Sequence, residues 1–382
     1  MMIPASLFQQ LRTIRHHLHA HPELSGQEYE TAAYLANYLE KCQPSRLLKG
    51  LGGTGVVATF DSKKKGPHLL FRAELDALPI AETNPFAHRS TKAKVSHKCG
   101  HDGHTTVLLG LAHMLQEDTS WKGKVSLLFQ PAEETGAGAQ AMLNDPRFAN
   151  IQVDRAFAFH NLPAYPLGQI IWKAGAFTPA VQSIIIKLKG RTAHAAEPAN
   201  GKNPALALAA ILQLAKRLEV ADSQLPDFRL LSPIYLTMGE KAYGVSAGEG
   251  EVHFTLRAWT KENMDTLIGE LLGEVEAIAK AAKLGLLIDW TDGFKANDND
   301  PSAVADIVQA AEANHFPHTC LAHPLTWGED FGTLTEVFAA AMFGIGAGED
   351  CPALHHEDYD FPDELLEIGV RMFWEIINQS TL

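Results

Sequence analysis

The densest group of chemically capable side chains is His97-Lys98-Cys99-Gly100-His101-Asp102-Gly103-His104. A thiol and an imidazole two residues apart suit Zn²⁺ and its first-row neighbours, and a turn lets both converge on one ion. The same proximity fits a cysteine nucleophile with its histidine base, a reading that needs no acidic ligands. The second group is FQPAEE, where Glu133 and Glu134 follow a predicted buried strand. Adjacent side chains leave a strand in opposite directions. One carboxylate can then ligate a cation while the other takes a proton from water that the cation has acidified. Glu-Glu alone more often marks a solvated loop, but the apolar VSLLFQ before it and the GAGA after it, whose small residues permit close backbone approach, weigh against that reading. His160 in FAFHN and His355 in GEDCPALHHEDYD follow apolar runs. Singly, such histidines are ordinary loop or core residues. Together with Cys99, His101, Glu133 and Glu134 they lie at connections of one predicted α/β scaffold, and ligands gather at the carboxyl ends of such strands.

The elements that must position these residues are legible from their periodicity. GVVATF, HLLFRAEL and KVSLLFQ read as strands and TTVLLGLAHMLQ as a buried helix, an alternation that argues for a largely parallel sheet. A first helix ends near Pro22, and Ser25 with Glu28 has the spacing of a capping box opening a second, whose apolar face is Leu35, Leu39 and Cys42. From Val181 the order becomes β-α-β-β-α-β, the signature of a ferredoxin-like sheet with two helices on one face. The α/β pattern resumes after Asp292. The expected fold is α/β, a mixed and mainly parallel sheet flanked by helices. Residues 1–178 and 293–382 form its catalytic domain, interrupted by an α+β insert over 179–292.

Length and composition agree with this division. A chain of 382 residues exceeds one ordinary core, and 46% hydrophobic with 20% charged residues is a globular composition. The net charge of −13 opposes binding to nucleic acid or an anionic membrane. The run Lys63 to Lys65 leads into Gly66-Pro67 and reads as a solvated turn. The N-terminus lacks an apolar signal core, and nowhere do about 18 apolar residues run together, so no membrane span and a cytoplasmic location are expected. Four cysteines without dense spacing do not imply a disulfide framework. His16, His17, His19 and His21 read as surface or packing residues.

The motifs HAHPELSGQE, FRAELDALPI, HKCGHDGHTTVLLG, FQPAEETGAGA, AFHNLP, GRTAHAAEP, GEDFG and LHHEDYDFPDE stand in an order that carries a resemblance over nearly the whole chain. The sequence resembles amidohydrolases typified by hippurate hydrolase, N-acyl-amino-acid amidohydrolase and indole-acetyl-amino-acid hydrolase, within the aminoacylase and carboxypeptidase group of co-catalytic metallopeptidases. The resemblance implies two divalent metal ions per subunit (Zn, Mn, Co or Ni), held by Cys99, His101, Glu134, His160 and His355, with Cys99 between them. It implies Glu133 as general base, Asp76 as support behind the ligands, and His194 as the group that binds the substrate or its oxyanion. Arg257 matches an arginine positioned to pair with a substrate carboxylate, with a structural salt bridge as its alternative. The implied substrate is a small N-acyl amino acid or peptide-like molecule, and dimerisation through the insert is the expected assembly. Dipeptidase or carboxypeptidase activity with the same metals, or a non-catalytic metal-binding homologue, are the alternatives. Three departures from the family pattern stand out: Glu74 where Asp is usual, Ala199 and Asn203 in the PHxGxDP stretch, and VSAGEG in place of NVIP.

Overall fold

A computed structural model describes Met2–Ser380, with the side chain of residue 292 outside the described set. The chain divides into two compact units. The first takes in the residues up to Phe177, Asn297–Ala322 and the chain from Glu329 on; the second is Thr178–Ala296 with His323–Gly328.

The first unit is built on an 8-stranded sheet. Its order is Arg46–Leu51, Gly55–Asp61, Lys124–Gln130, His68–Glu74, Arg155–Leu162, Ala340–Gly346, Ile170–Trp172 and His318–Cys320. The four central strands, from Lys124–Gln130 to Ala340–Gly346, run parallel, and the strands on either side of them join antiparallel. The sequence KVSLLFQ is buried from Val125 to Gln130 and AAMFGIG throughout, as expected of strands covered on both faces. The helix His101–Glu117 is buried on nearly every side, and Glu364–Gln379 buries Leu365, Leu366, Val370, Phe373 and Ile377. Both helices join one core with Phe71, Phe129, Phe157 and Phe343 of the sheet.

Parallel strands end at the same edge. The site segments Glu74-Leu75-Asp76, Pro131–Glu134 and Asn161-Leu162 therefore leave the sheet together, which is how residues far apart in sequence come to share one place.

The expected capping box does not form. The helix Tyr29–Lys41 opens after Glu28 without a side-chain cap. Ser25 instead donates its hydroxyl to Asp76 Oδ2 at 2.7 Å. Glu28 Oε1 accepts the Gly26 and Ala132 backbone N–H groups, at 2.7 and 2.9 Å, and Oε2 takes the Thr54 hydroxyl at 2.6 Å. Tertiary partners outcompeted the local cap for both side chains.

The second unit has a 4-stranded sheet in the order Arg229–Met238, Glu249–Ala258, Ala180–Lys189 and Gly285–Phe294, every neighbouring pair antiparallel. Helix Ala205–Leu218 buries Leu208, Ile211 and Leu214, and Lys261–Ala281 buries Leu267, Leu271 and Val275. Both stripes pack on Ile184, Ile186, Val252, Phe254 and Leu256. The segment 323–328 belongs here because Arg257 Nη1 donates to the Thr326 carbonyl at 3.1 Å and Gly328 lies against Val181 and Phe294.

Candidate metal centre

The turn before helix His101–Glu117 depends on one glycine. Gly100 sits at φ 104°, and a Cβ there would meet Asn161 Oδ1 at 2.3 Å. Glycine alone allows both the left-handed backbone and the close approach, which place Cys99 in the turn and His101 on the first helical residue. Thr105 Oγ1 donates to the Glu74 carbonyl at 2.7 Å and ties this helix start to a strand end.

Within this unit the structure brings together Cys99, His101, Glu133, Glu134, His160 and His355. Three sets of ligand atoms each lie within 4.8 Å of one another: Cys99, His101 and His160; Cys99, Glu134 and His355; His101, Glu133 and Glu134. Cys99 belongs to two of them. Its Sγ is 3.4 Å from His160 Nε2, while His160 Nδ1 donates to the Asn161 carbonyl at 2.8 Å, which turns Nε2 toward the thiol. His355 Nε2 is 3.7 Å from Glu134 Oε2. His101 Nε2 is 3.9 Å from both Glu133 Oε2 and Glu134 Oε1. His355 adopts φ 66°, and its N–H is fixed by the Lys98 carbonyl at 2.8 Å.

Asp76 stands behind the cluster. Its Oδ2 accepts the Ser25 hydroxyl and, at 3.0 Å, the Glu134 backbone N–H. Its own carbonyl takes His101 Nδ1–H at 2.8 Å, which orients the ring and leaves Nε2 as the nitrogen that faces the cluster.

The donor set fits divalent cations. Among the described residues His101 Nε2 and Glu134 Oε1 are buried without a hydrogen-bond partner, an expensive condition that ion coordination relieves. The electrostatics agree. Burial, reinforced by Glu134 and Glu133, pushes the Cys99 thiol well above its ordinary range. Burial, with Glu329 and Glu134 adding to it, holds Glu133 well up too. Burial also lifts Glu134 to about 7. For His101 burial opposes the charge, but the bond to Asp76 and the field of Glu74 outweigh it and bring it to about 10. Burial and His104 hold His160 well down, and burial with His101 lowers His355. Acids that raise one another in a buried pocket are stable as anions only beside strong positive charge, and a bound cation deprotonates a thiol outright.

Around these groups lies a buried polar network that motif reading did not foresee. Arg72 donates to Gln130 Oε1 at 2.9 Å, Glu329 Oε1 at 2.9 Å and Asp330 Oδ1 at 2.6 Å, and pairs with Glu74. Asp330 in turn accepts Gln130 Nε2 and the Ala139 N–H, and its own N–H reaches Glu133 Oε1 at 3.4 Å. Glu74 Oε2 lies 2.8 Å from His104 Nδ1, and His104 Nε2 lies 2.6 Å from Asn161 Oδ1. Asn161 Nδ2 donates to the Tyr359 hydroxyl. The departure from Asp to Glu at position 74 is thus accommodated by two partners. The available signal was His104, three residues after His101 and so on the same helix face.

His194 and Arg257 belong to the second unit. His194 is exposed on a short strand paired with Val245-Ser246, and its Nδ1 accepts the Ala196 N–H at 3.1 Å. Arg257 is partly buried on Glu249–Ala258, and burial lowers its pKa.

The chain is similar to known hydrolases over nearly its whole length. The chain is 32% identical over 380 residues to the N-acetyl-L-cysteine deacetylase of Bacillus subtilis, covering 97% of this chain and 87% of that one. It is 28% identical over 365 residues to an N-acetyldiaminopimelate deacetylase of Bacillus licheniformis, covering 95% and 96%. A solved Bacillus subtilis structure, described as a dinuclear metal-binding peptidase from the M20 family, superposes with a TM-score of 0.84 at 27% identity, over 98% of each chain. A Staphylococcus aureus structure shares the fold with a TM-score of 0.91 at 24% identity, over 99% of this chain and 97% of that one. The model of Peptidase family M20/M25/M40 matches residues 70–379, and the chain is a member of that family.

Proposed function

We propose that this protein is a metal-dependent amidohydrolase that removes the acyl group from N-acyl amino acids, N-acetyl and N-benzoyl derivatives among them. The observation that carries the reading is the pairing of Glu133 and Glu134 beside His101 Nε2, with Cys99 shared between two sets of ligand atoms.

Cys99, His101, Glu134, His160 and His355 would hold two divalent cations. When bound, these supply Lewis acidity, bringing the pKa of water toward neutrality and polarising an amide carbonyl. The chain's own residues do the rest. Glu133 Oε1 is engaged by the Asp330 N–H, so Oε2, the oxygen facing His101, is the atom that takes the water proton and later passes it to the departing nitrogen. Its burial suits the task, because desolvation, with Glu329 and Glu134 nearby, raises its affinity for a proton above that of an ordinary carboxylate. Asp76 orients both His101 and the Glu134 backbone. His194 would donate to the tetrahedral oxyanion and Arg257 would pair with the substrate carboxylate.

Dimerisation through the second unit is part of the proposal. Strand Arg229–Met238 is an edge of its sheet and exposes Ile234, Tyr235 and Leu236, an apolar edge of the kind that pairs with another chain. Ile234→Lys should convert the dimer to monomer in light scattering after size exclusion. A cytoplasmic location is part of the proposal; the four cysteines are free, and among the described residues no helix is long and apolar enough to cross a membrane.

The deciding experiment assays metal-free protein on N-acetyl and N-benzoyl amino acids and on dipeptides, with Mn²⁺, Zn²⁺, Co²⁺ or Ni²⁺ restored singly. Activity on the acylated substrates that returns only with metal is the expected outcome. Preference for a free amino group would mark a dipeptidase. The 3.4 Å contact between Cys99 and His160 favours a thiol nucleophile as the rival, which predicts full activity in chelator and loss on alkylation.

A further inference from the structure

Helix Ala5–Ala20 buries two side chains that the proposed chemistry does not use. Arg15 is 1% exposed and His19 0%. His19 Nδ1 lies 2.9 Å from Asp102 Oδ2, and Nε2 lies 3.0 Å from Glu82 Oε1. A neutral imidazole has one N–H and one lone pair, whereas an ionised carboxylate only accepts. Both contacts are therefore satisfied only if the ring carries two protons or one of the acids keeps its own.

The surroundings favour the first arrangement. Asp102 Oδ2 also accepts Arg15 Nη1 at 3.2 Å. Glu82 Oε1 also accepts Lys98 Nζ at 2.5 Å, and its Oε2 takes the Ser90 N–H at 2.6 Å. Each carboxylate is ringed by donors, which stabilises its anion. Burial works against Glu82, but its bonds to His19 and Lys98 prevail and hold it down at about 2. Burial likewise opposes charge on His19, yet Asp102 outweighs it and keeps the ring at about 9. The other groups facing the ring are Asp360, whose Oδ1 is 3.6 Å from Nδ1, and Phe86, His88 and His97, whose ring centroids are 5.6, 5.4 and 6.3 Å away. Burial, with Arg15 beside it, lowers the pKa of His88.

The two acids lead to the metal ligands. Asp102 adjoins His101. Glu82 holds Lys98, which adjoins Cys99; Lys98 Nζ also donates to the Tyr359 carbonyl at 2.8 Å, and its own carbonyl fixes the His355 N–H. Arg15 extends the same hub to Asp360 at 2.8 Å and Asp363 at 2.5 Å, in the loop that follows His355.

We propose that His19 is a positioning residue held as an imidazolium, whose two N–H groups, acting through Asp102 and Glu82, set the placement of His101 and Cys99. Arg15 does the same for the His355 loop. The proposal rests on the metal-centre reading above.

The test combines two measurements. The first is nitrogen-15 NMR of metal-free, histidine-labelled wild type at pH 7.5, with His19 assigned from the His19→Gln spectrum or, should that variant not fold, from its through-space contacts to Phe86. Both ring nitrogens should show the protonated signature; a single N–H on His19 overturns the proposal. The second is Mn²⁺ and Zn²⁺ binding to metal-free protein by calorimetry. His19→Gln, which keeps hydrogen bonding without the charge, should bind at least about 10-fold more weakly, the effect typical of partners that orient ligands. His21→Gln, at the exposed C-terminal end of the same helix, where among the described residues the ring bonds only the His17 carbonyl, should bind as wild type does. Wild-type uptake with unchanged affinity in His19→Gln overturns this proposal alone. Absence of uptake by wild type overturns the metal-centre reading and this proposal with it.

Discussion

Asp76 Oδ2 accepts the backbone N–H of Glu134 at 3.0 Å, so the carboxylate behind the centre holds the backbone of one candidate ligand and, through its carbonyl, the ring of another, His101. The constraint is geometric, and the Asp76 carboxylate adds charge to it, with Oδ1 3.4 Å from His101 Nδ1; it gives a sharp expectation. Asp76→Ala removes the acceptor for both Ser25 and Glu134, and metal affinity should fall about 10- to 100-fold. Calorimetric titration with Mn²⁺ checks it, and an unchanged dissociation constant would remove Asp76 from the supporting role.

Glu133→Gln preserves the size of the side chain and the contact to Asp330 while abolishing the proton-holding oxygen. Turnover should fall by about 10²- to 10⁴-fold, the range of general acid–base catalysis, with metal content by elemental analysis unchanged. Substantial residual activity would reassign the base.

At Gly100 the backbone is left-handed and Asn161 Oδ1 fills the space that a Cβ would need. Gly100→Ala should therefore cost stability by about 1 to 3 kcal/mol in strain, before any loss of Asn161 contacts. It should also disturb metal binding, because Cys99 and His101 flank the strained residue. Urea denaturation and metal titration on one preparation give both numbers.

The charge on His19 makes stability depend on pH in the alkaline direction. Its folded-state pKa is raised to about 9 against an ordinary 6.5. The stabilisation is then fully present below about 6.5 and is lost as pH rises through about 9. Wild type should lose more unfolding free energy between pH 6.5 and 10 than His19→Gln does, in parallel urea titrations of metal-free protein. Identical slopes would contradict a charged His19.

Arg72 is wholly buried among Glu74, Glu329 and Asp330. Removing it leaves uncompensated carboxylates in the interior. Arg72→Met should destabilise the protein by about 3 to 5 kcal/mol, seen as a lower urea midpoint, whereas Arg72→Lys should recover part of that loss by restoring the charge without the fork.

Much of this protein was decided locally and could be read from its sequence. Buried strands such as KVSLLFQ and AAMFGIG are apolar from end to end because both of their faces are covered, and the β-α-β-β-α-β order of the second unit follows from alternating periods of two and 3.6. The candidate ligands were legible because thiol, imidazole and paired carboxylates stand beside turn residues at strand ends. Partner choice across the chain was not. Ser25 and Glu28 have capping spacing, yet they serve Asp76, Thr54 and Ala132. His19 looked like packing and is the centre of a buried ionic hub, while Arg15 reaches Asp363 across 348 residues. Segment 323–328 joined the second unit through Arg257 and Gly328. A periodic pattern records which face of an element is buried. Which polar groups meet there is set by the packing of distant elements, because a buried charge takes whichever partner the fold delivers to it.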